Sequence, residues 1–204
     1  MESRFLFVKE LIYLKIIMDI LFLIVIGYLI YTFIQTLLKM KGKVILPITN
    51  EEVSTIRKYP EKPIEKPTFS NQKLGIILYS ILILFVIVMF LLGLWFDLFT
   101  WSVYLLLLLP MANSNNLLNM FAIVEDGLLS GNRFISWNKI KSYRFLPIDI
   151  NHKYYGYSKE ANKGYELKIK TIGFPVSCII TSEEMKEKLD KILSEHAKVI
   201  EGEM

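Results

Sequence analysis

The chain has 204 residues, is 53% hydrophobic and has a mean hydropathy of +0.40, which is typical of a membrane protein rather than of a soluble domain. Its 24 basic and 20 acidic residues leave a net charge of only +4, which argues against nucleic-acid binding because that needs a concentrated basic face. The single cysteine, Cys178, excludes an intrachain disulfide and a cysteine metal site.

The first predicted membrane helix covers residues 16–38 and follows an N-terminal segment. Its apolar core is too long for a secretory signal peptide, and no small-residue cleavage site follows it. Asp19 is the one acidic residue in this run. Such a carboxylate either serves a proton or ion path, or lies near the interface and pairs with Lys15 one helical turn away. A lone carboxylate favours the second interpretation.

Residues 39–73 are predicted to form a basic cytoplasmic linker. They contain eight basic and four acidic residues, together with prolines at 60, 63 and 67. Because proline interrupts a helix, this composition favours an extended spacer close to the anionic inner leaflet.

Residues 74–119 are predicted to form a transmembrane helical hairpin. The stretch 74–94 has 21 uncharged residues, and at 1.5 Å per residue it reaches about 31 Å, the thickness of the hydrocarbon core. A third helix is expected from Leu98 to about Asn116, with Pro110 inside it and Asp97 at the hairpin tip. Asn113 and Asn116 either form hydrogen bonds between helices or bind a lipid headgroup, or they are simply the polar end of this helix.

Flanking charge predicts the topology of a multi-pass cell-membrane protein. Four lysines precede the second helix, whereas the hairpin tip carries no base. The positive-inside rule then places the linker and the C-terminal domain in the cytoplasm and the N-terminus outside.

From Met120 the hydrophobic pattern changes to a period of two residues. A hairpin is predicted around the turn 130–132, and further strands over 165–171 and 176–180. Thr181 and Glu184 fit a capping box at the start of an amphipathic helix. About five strands followed by one helix predict an antiparallel sheet closed by a C-terminal helix.

Three features of residues 120–204 resemble the bacterial PH-like (pleckstrin-homology-like) domains that are fused to membrane hairpins. They are the run Glu125-Asp126-Gly127-Leu128, the pattern Ile135-x-Trp137-x-x-Ile140-x-x-Tyr143 and the terminal helix 182–198. The resemblance implies a PH-like sheet with a C-terminal helix, and it supplies a fold rather than an activity. The expected fold class is therefore three transmembrane helices plus an α+β cytoplasmic domain.

Tyrosines lie beside lysines in the loop 147–163, which makes this loop the candidate binding site. The candidate residues are Lys153, Tyr154, Tyr155, Tyr157, Lys159 and Lys163. Exposed tyrosines beside lysines suit a contact with a partner or with lipid headgroups. The tyrosines equally suit the end of a β-hairpin, and the sequence leaves both interpretations open.

No nucleophile–base pair, glycine-rich phosphate loop or metal-ligand spacing is present in the sequence. We therefore expect a non-enzymatic membrane protein without a cofactor, which presents its cytoplasmic module to membrane lipid, to a protein partner or to a second copy of the chain. The alternative is an accessory or transport-related membrane subunit that uses Asp19 and the asparagines at 113 and 116.

Overall fold

The computed structural model describes residues 2–96, 101–112, 114 and 117–199. The helices and strands, in chain order, are α1 (Glu2–Lys39), β1 (Val44–Leu46), α2 (Asn50–Thr55), β2 (Ile56–Arg57), α3 (Lys73–Phe96), α4 (Trp101–Ala112), β3 (Phe121–Val124), β4 (Gly127–Ser130), β5 (Arg133–Ser136), β6 (Ile140–Pro147), β7 (Tyr165–Thr171), β8 (Val176–Ile180), α5 (Glu183–Ser194) and β9 (Lys198–Val199).

Two of the helices are long and apolar enough to cross a membrane, over Ile12–Lys39 and Lys73–Trp95. They confirm the apolar helices that the sequence predicts at 16–38 and 74–94. By contrast, α4 has 12 residues and is about 18 Å long, so a third spanning helix is not shown. The predicted tip residue Asp97 and the two predicted polar residues Asn113 and Asn116 lie outside the described residues.

The helices α1 and α3 run antiparallel and pack through aromatic side chains. The ring centroids of Phe22 and Phe90 lie 5.2 Å apart, and those of Phe33 and Tyr79 lie 4.5 Å apart. At the start of α3, a Cβ on Gly75 would lie 2.2 Å from the carbonyl oxygen of Leu117. Only glycine fits this close approach between α3 and the segment after α4.

The strands form two sheets, in the orders β1-β3-β4-β5 and β2-β8-β7-β6-β9, with all pairs antiparallel except β6 with β9. The main core lies between these sheets and α5, and includes Phe121 and Leu128 from the first sheet, Leu167 and Ile169 from the second, and Leu189 from the helix. This confirms a largely antiparallel β domain with a C-terminal helix.

The first sheet also packs against the long apolar helices through its second face. Ala122, Val124 and Leu129 belong to the same apolar cluster as residues of α1 and α3. In addition, the Thr36 hydroxyl at the end of α1 donates a hydrogen bond to the carbonyl oxygen of Asn132, at 3.0 Å. The β domain is therefore attached to the helices by a buried interface as well as by the chain.

The linker 39–73 differs from the extended spacer predicted by its prolines. Its strand β1 pairs with β3, its strand β2 pairs with β8, and Ile56 and Ile64 are buried in the core. These short apolar stretches between charged residues have too few positions to show a two-residue period. Sequence reasoning therefore missed their pairing with strands far along the chain.

The predicted capping box at Thr181 and Glu184 is wrong. The N-cap of α5 is Ser182, and its side chain makes no capping hydrogen bond. Thr181, the predicted cap, instead donates hydrogen bonds from its amide and its hydroxyl to the carbonyl oxygen of Thr55. A complete capping box is found in the linker, where the side chains of Thr49 and Glu52 bond to each other's backbone at the start of α2.

The segment before the predicted turn at 130–132, expected to be one arm of a hairpin, forms the two strands β3 and β4. Residues 125 and 126 form the turn between β3 and β4, and Gly127 follows it with a Cβ position only 2.1 Å from the carbonyl oxygen of Ile135. An Asp-Gly pair is a strong turn signal. The predicted turn at 130–132 is confirmed between β4 and β5.

Candidate functional site

The outer face of the second sheet is polar and basic. Along β6 and β7, alternate side chains such as Tyr143 and Ile169 point into the core. The intervening positions therefore face outward. The strand register places Arg144 opposite Lys168, and Lys168 opposite Ser177 of β8.

A cleft of about 530 Å³ opens on this outer face. Its charged lining residues are Arg144, Lys153, Glu166, Lys168 and Lys170, and we call it the basic cleft. Like charges directly opposite each other on adjacent strands are destabilising. Four cations against one carboxylate thus make a surface where the binding of an anion would relieve repulsion.

Glu166 is the completely buried acidic residue of the cleft, and it positions the basic side chains around it. Its carboxylate lies 3.0 Å from Nζ of Lys153, 3.1 Å from Nζ of Lys168 and 2.9 Å from Nε2 of His152. Burial alone would raise the pKa of Glu166, but the two lysines outweigh burial and hold that pKa below its usual value. The ionised Glu166 therefore holds both lysine side chains at the cleft.

A smaller pocket of about 160 Å³ adjoins the cleft and shares Pro175, Val176 and Ser177 with it. We call it the Lys58–Arg133 pocket after its two cations; its other lining residues are Tyr59, Ser130 and Tyr154. Burial, and to a lesser degree the positive charge of Arg133, lowers the pKa of Lys58 to about 8. The linker and the start of β5 thus bring together two basic side chains that are 75 positions apart in the chain.

A third cavity, of about 530 Å³, lies between the helices and the β domain, and we call it the helix-side cavity. Its walls are mainly apolar and include Val25 and Leu29 of α1 and Leu108 of α4. At the β-domain end it is bounded by Arg133 and Phe174. Because Arg133 also lines the Lys58–Arg133 pocket, this one side chain borders both spaces.

The structure divides the six predicted loop residues between the cavities and the surface. Lys153 lines the basic cleft, and Tyr154 lines the Lys58–Arg133 pocket while packing against a small buried cluster formed by Ile148, Ala161 and Ile179. The remaining four are exposed on the loop surface, namely Tyr155, Tyr157, Lys159 and Lys163. Whether any of the six binds a ligand stays a prediction.

Several residues of these cavities were missed by sequence reasoning. The alternation of Lys168 and Lys170 with apolar residues along β7 indicates only a half-buried strand. Arg144 occupies an equivalent outward position on β6. Knowledge of the register between β6 and β7 would therefore have placed Arg144, Lys168 and Lys170 on one face of the sheet. No sequence signal places Lys58 in one pocket with Arg133, because Lys58 follows β2 and the position of β2 depends on its pairing with the distant strand β8.

Residues 119–198 match the family described as a domain of unknown function (DUF5673). No curated protein and no solved structure matches the chain. The matched segment contains every charged residue of the basic cleft, together with Arg133. It leaves out Lys58, β1, β2 and the helices α1 and α3.

Proposed function

We propose that the chain is a multi-pass membrane protein that presents its β domain, of PH-like type, at the cytoplasmic face of the cell membrane, where the basic cleft binds anionic lipid headgroups. The observation that carries this proposal is the cleft itself, which is lined by four cations and one carboxylate. Two of the four, Lys153 and Lys168, already pair with that carboxylate, so the cleft keeps an excess of positive charge. The role is one of binding, without a chemical step.

The exposure of the two long helices supports a location in a membrane. Only 17% and 22% of the residues in the most apolar stretch of each helix are buried by the rest of the protein. An apolar core helix of a soluble domain is mostly buried. In water these helices would expose a continuous apolar surface, which a bilayer covers.

Strand pairing supports a hairpin topology for α3 and α4. Strands β1 and β2 precede α3, yet they pair with β3 and β8, which follow α4. The two segments therefore lie on the same side of any membrane. If α3 crosses the bilayer, the chain must cross again before β3, and α4 with its flanking residues is the segment available for that return.

The headgroup proposal is tested with the full chain in nanodiscs of neutral phosphatidylcholine, with and without phosphatidylglycerol. Anionic lipid should raise the unfolding temperature of the wild type, and the gain should fall with added salt. The double variant Arg144→Gln/Lys170→Gln should lose most of this gain, since a lysine near an anionic surface contributes about 1 kcal/mol. The matched control is Lys139→Gln/Lys191→Gln, which removes two exposed charges outside the cleft. An equal loss in both variants would contradict the role of the cleft.

The proposed orientation is tested by reporter fusions. A reporter that works only in the cytoplasm should be active after Met204 and inactive at Asp97. Activity at Asp97 would reverse the orientation derived from the linker charges.

A second candidate function, as a transport-related subunit, is favoured by one observation. The Oδ1 atom of Asp19 is buried and has no hydrogen-bond partner among the described residues. However, Asp19 lies 17 positions before Thr36, which is about 26 Å along α1, so it is remote from the polar group at the domain interface. If Asp19→Asn leaves growth and localisation unchanged, the transport function loses its intramembrane support.

A further inference from the structure

We propose that the Lys58–Arg133 pocket and the helix-side cavity together form a binding site for one phospholipid molecule, with the lipid phosphate between Lys58 and Arg133 and an acyl chain between α1 and α4. This inference rests on the proposed membrane location, but it concerns a different site from the basic cleft. The cleft contacts the membrane surface, whereas this site would hold a single lipid.

The chemistry of the pocket suits a phosphate group. Its two cations, Lys58 and Arg133, are accompanied by hydroxyl-bearing side chains at Ser130, Tyr154 and Ser177, and none of the described residues that line the pocket is acidic. Arginine, lysine and hydroxyl groups are the usual partners of phosphate oxygens. A bound anion would also offset the repulsion between the two cations, which in the free pocket is one of the causes that lower the pKa of Lys58.

Arg133 itself is only partly satisfied by the protein. Its Nε atom is buried without a hydrogen-bond partner among the described residues. The guanidinium group lies 5.9 Å from the ring centroid of Phe174, an apolar neighbour. Burial lowers the pKa of Arg133, because its charged guanidinium group has lost part of its hydration. A phosphate oxygen would supply the missing acceptor.

The helix-side cavity suits an acyl chain. Its volume of about 530 Å³ is within the range of small-ligand sites, and most of its lining surface is apolar. It lies between α1 and α4 at the level of Tyr28 and Thr32, so it begins where the helices leave the β domain. Phe174 is 78% exposed at the tip of the β7–β8 turn and continues the apolar surface beyond the rim.

The two spaces meet at Arg133 and Pro175, which line both. A phospholipid has the same arrangement, a charged phosphate joined to an apolar chain by a short linker. A free phosphate would fill the polar part alone, and a fatty acid without phosphate would fill mainly the apolar part. The junction therefore favours a phospholipid over either of these smaller molecules.

The test uses the full chain purified in a mild detergent. Native mass spectrometry counts the phospholipid retained after purification, and thermal unfolding follows titration with dihexanoyl phosphatidylglycerol, inorganic phosphate or octanoate. We expect about one retained phospholipid per chain, and apparent affinities for inorganic phosphate and octanoate at least about tenfold weaker than for the short-chain lipid. Equal protection by inorganic phosphate would show a free-anion site and overturn the lipid assignment, and equal protection by octanoate would overturn the role of phosphate.

Variants at each end of the site separate its two parts. Arg133→Gln and Lys58→Met should each weaken binding of the short-chain lipid by about tenfold or more, because each removes a charge-assisted contact. Val25→Trp should weaken it by filling the cavity, whereas Ile24→Trp, on the exposed side of α1, should not. Leu108→Phe is the second cavity-filling change, used if Val25→Trp fails to fold.

Unchanged lipid binding in Arg133→Gln, or in a cavity-filling variant that folds, would overturn this inference. Such a result leaves the proposed function intact, because that function is measured through Arg144 and Lys170 in nanodiscs. Conversely, release of the wild-type chain from membranes by alkaline carbonate would refute the membrane location, and with it both proposals.

Discussion

The buried carboxylate of Glu166 offers the sharpest test of how the basic cleft is built. Changing Glu166 to Gln keeps the size of the side chain but removes its charge, which leaves Lys153, Lys168 and His152 without their common partner. Loss of one member of a fully buried ion pair costs about 3–5 kcal/mol. The side chains of Lys153 and Lys168 are 57% and 38% exposed, so hydration by water compensates part of the lost interaction with the carboxylate.

The expected loss follows from these exposures. Each half-exposed lysine pair contributes about 0.5–1 kcal/mol, and the contact with His152, whose side chain is only 12% exposed, adds about 1 kcal/mol. Glu166→Gln should therefore destabilise the folded chain by about 2–3 kcal/mol. For a protein of this length that corresponds to roughly 4–12 °C in unfolding temperature.

The sign of the pH dependence gives a second readout of the same variant. The pKa of Glu166 is lowered in the folded state, so its contribution to stability is fully present above the ordinary value of 4.5 and is lost as the pH falls through the folded-state pKa. The difference between wild type and Glu166→Gln should therefore be constant near neutral pH and shrink in acid. Thermal unfolding of the full chain in nanodiscs, followed by tryptophan fluorescence, measures both quantities.

The matched control is Glu184→Gln on the exposed surface of α5. Glu184 pairs with Lys188 one turn along the helix, and its side chain is 76% exposed. Such a pair contributes about 0.3–0.5 kcal/mol, so the control should be nearly neutral. If Glu166→Gln costs no more than Glu184→Gln, or if its effect persists unchanged in strong acid, the ion cluster does not stabilise the cleft.

Four further predictions concern single residues. The free energy of unfolding should rise with pH between about 8 and 10.5, because in this range Lys58 is protonated in the unfolded chain but deprotonated in the folded one. Lys58→Met should flatten this rise, as measured by urea titrations at several pH values. Gly75→Ala should cost about 1–3 kcal/mol through its contact with Leu117, whereas Gly27→Ala, with nothing within 4 Å, should not destabilise; thermal unfolding compares them. Tyr143→Phe removes a 2.8 Å hydrogen bond to the Asp190 carboxylate and should cost about 1–2 kcal/mol in urea unfolding, with an unchanged midpoint contradicting the bond. Trp137→Ala should lower the free energy of unfolding by about 2 kcal/mol, which is less than the loss expected for a fully buried tryptophan, because the ring is only half-buried and stacks on His196 at 4.1 Å. A loss above about 4 kcal/mol would mean that the ring belongs to the core.

The sequence predicted those elements whose signal is local and long. The apolar runs at 16–38 and 74–94, the alternating strand at 165–171 and the apolar stripe of the C-terminal helix all repeat over several turns or pleats. The failures are short elements whose structure depends on distant partners. Strand β2 has two residues, and only its pairing with β8 makes it a strand.

The candidate site was predictable only in part for the same reason. The loop 147–163 was singled out by its composition, and Lys153 and Tyr154 do line cavities. The cleft itself arises from strand register, which brings Arg144 opposite Lys168, and from a buried carboxylate that holds the lysines. Single-sequence patterns show which residues alternate along a strand, but they do not show which strands are neighbours.

The pairing of β2 with β8 has a consequence for biosynthesis. Ile56 leaves the ribosome about 120 residues before its partner Ile180, and at about 5–20 residues per second that delay lasts roughly 6–25 s. In the proposed topology the helical hairpin must enter the bilayer and return during this interval. A chain whose hairpin fails to return would leave β1 and β2 on one side of the membrane, and the edges of β3 and β8 would be open to quality-control proteases. Completion of the β domain would thus occur only in molecules whose membrane insertion has succeeded.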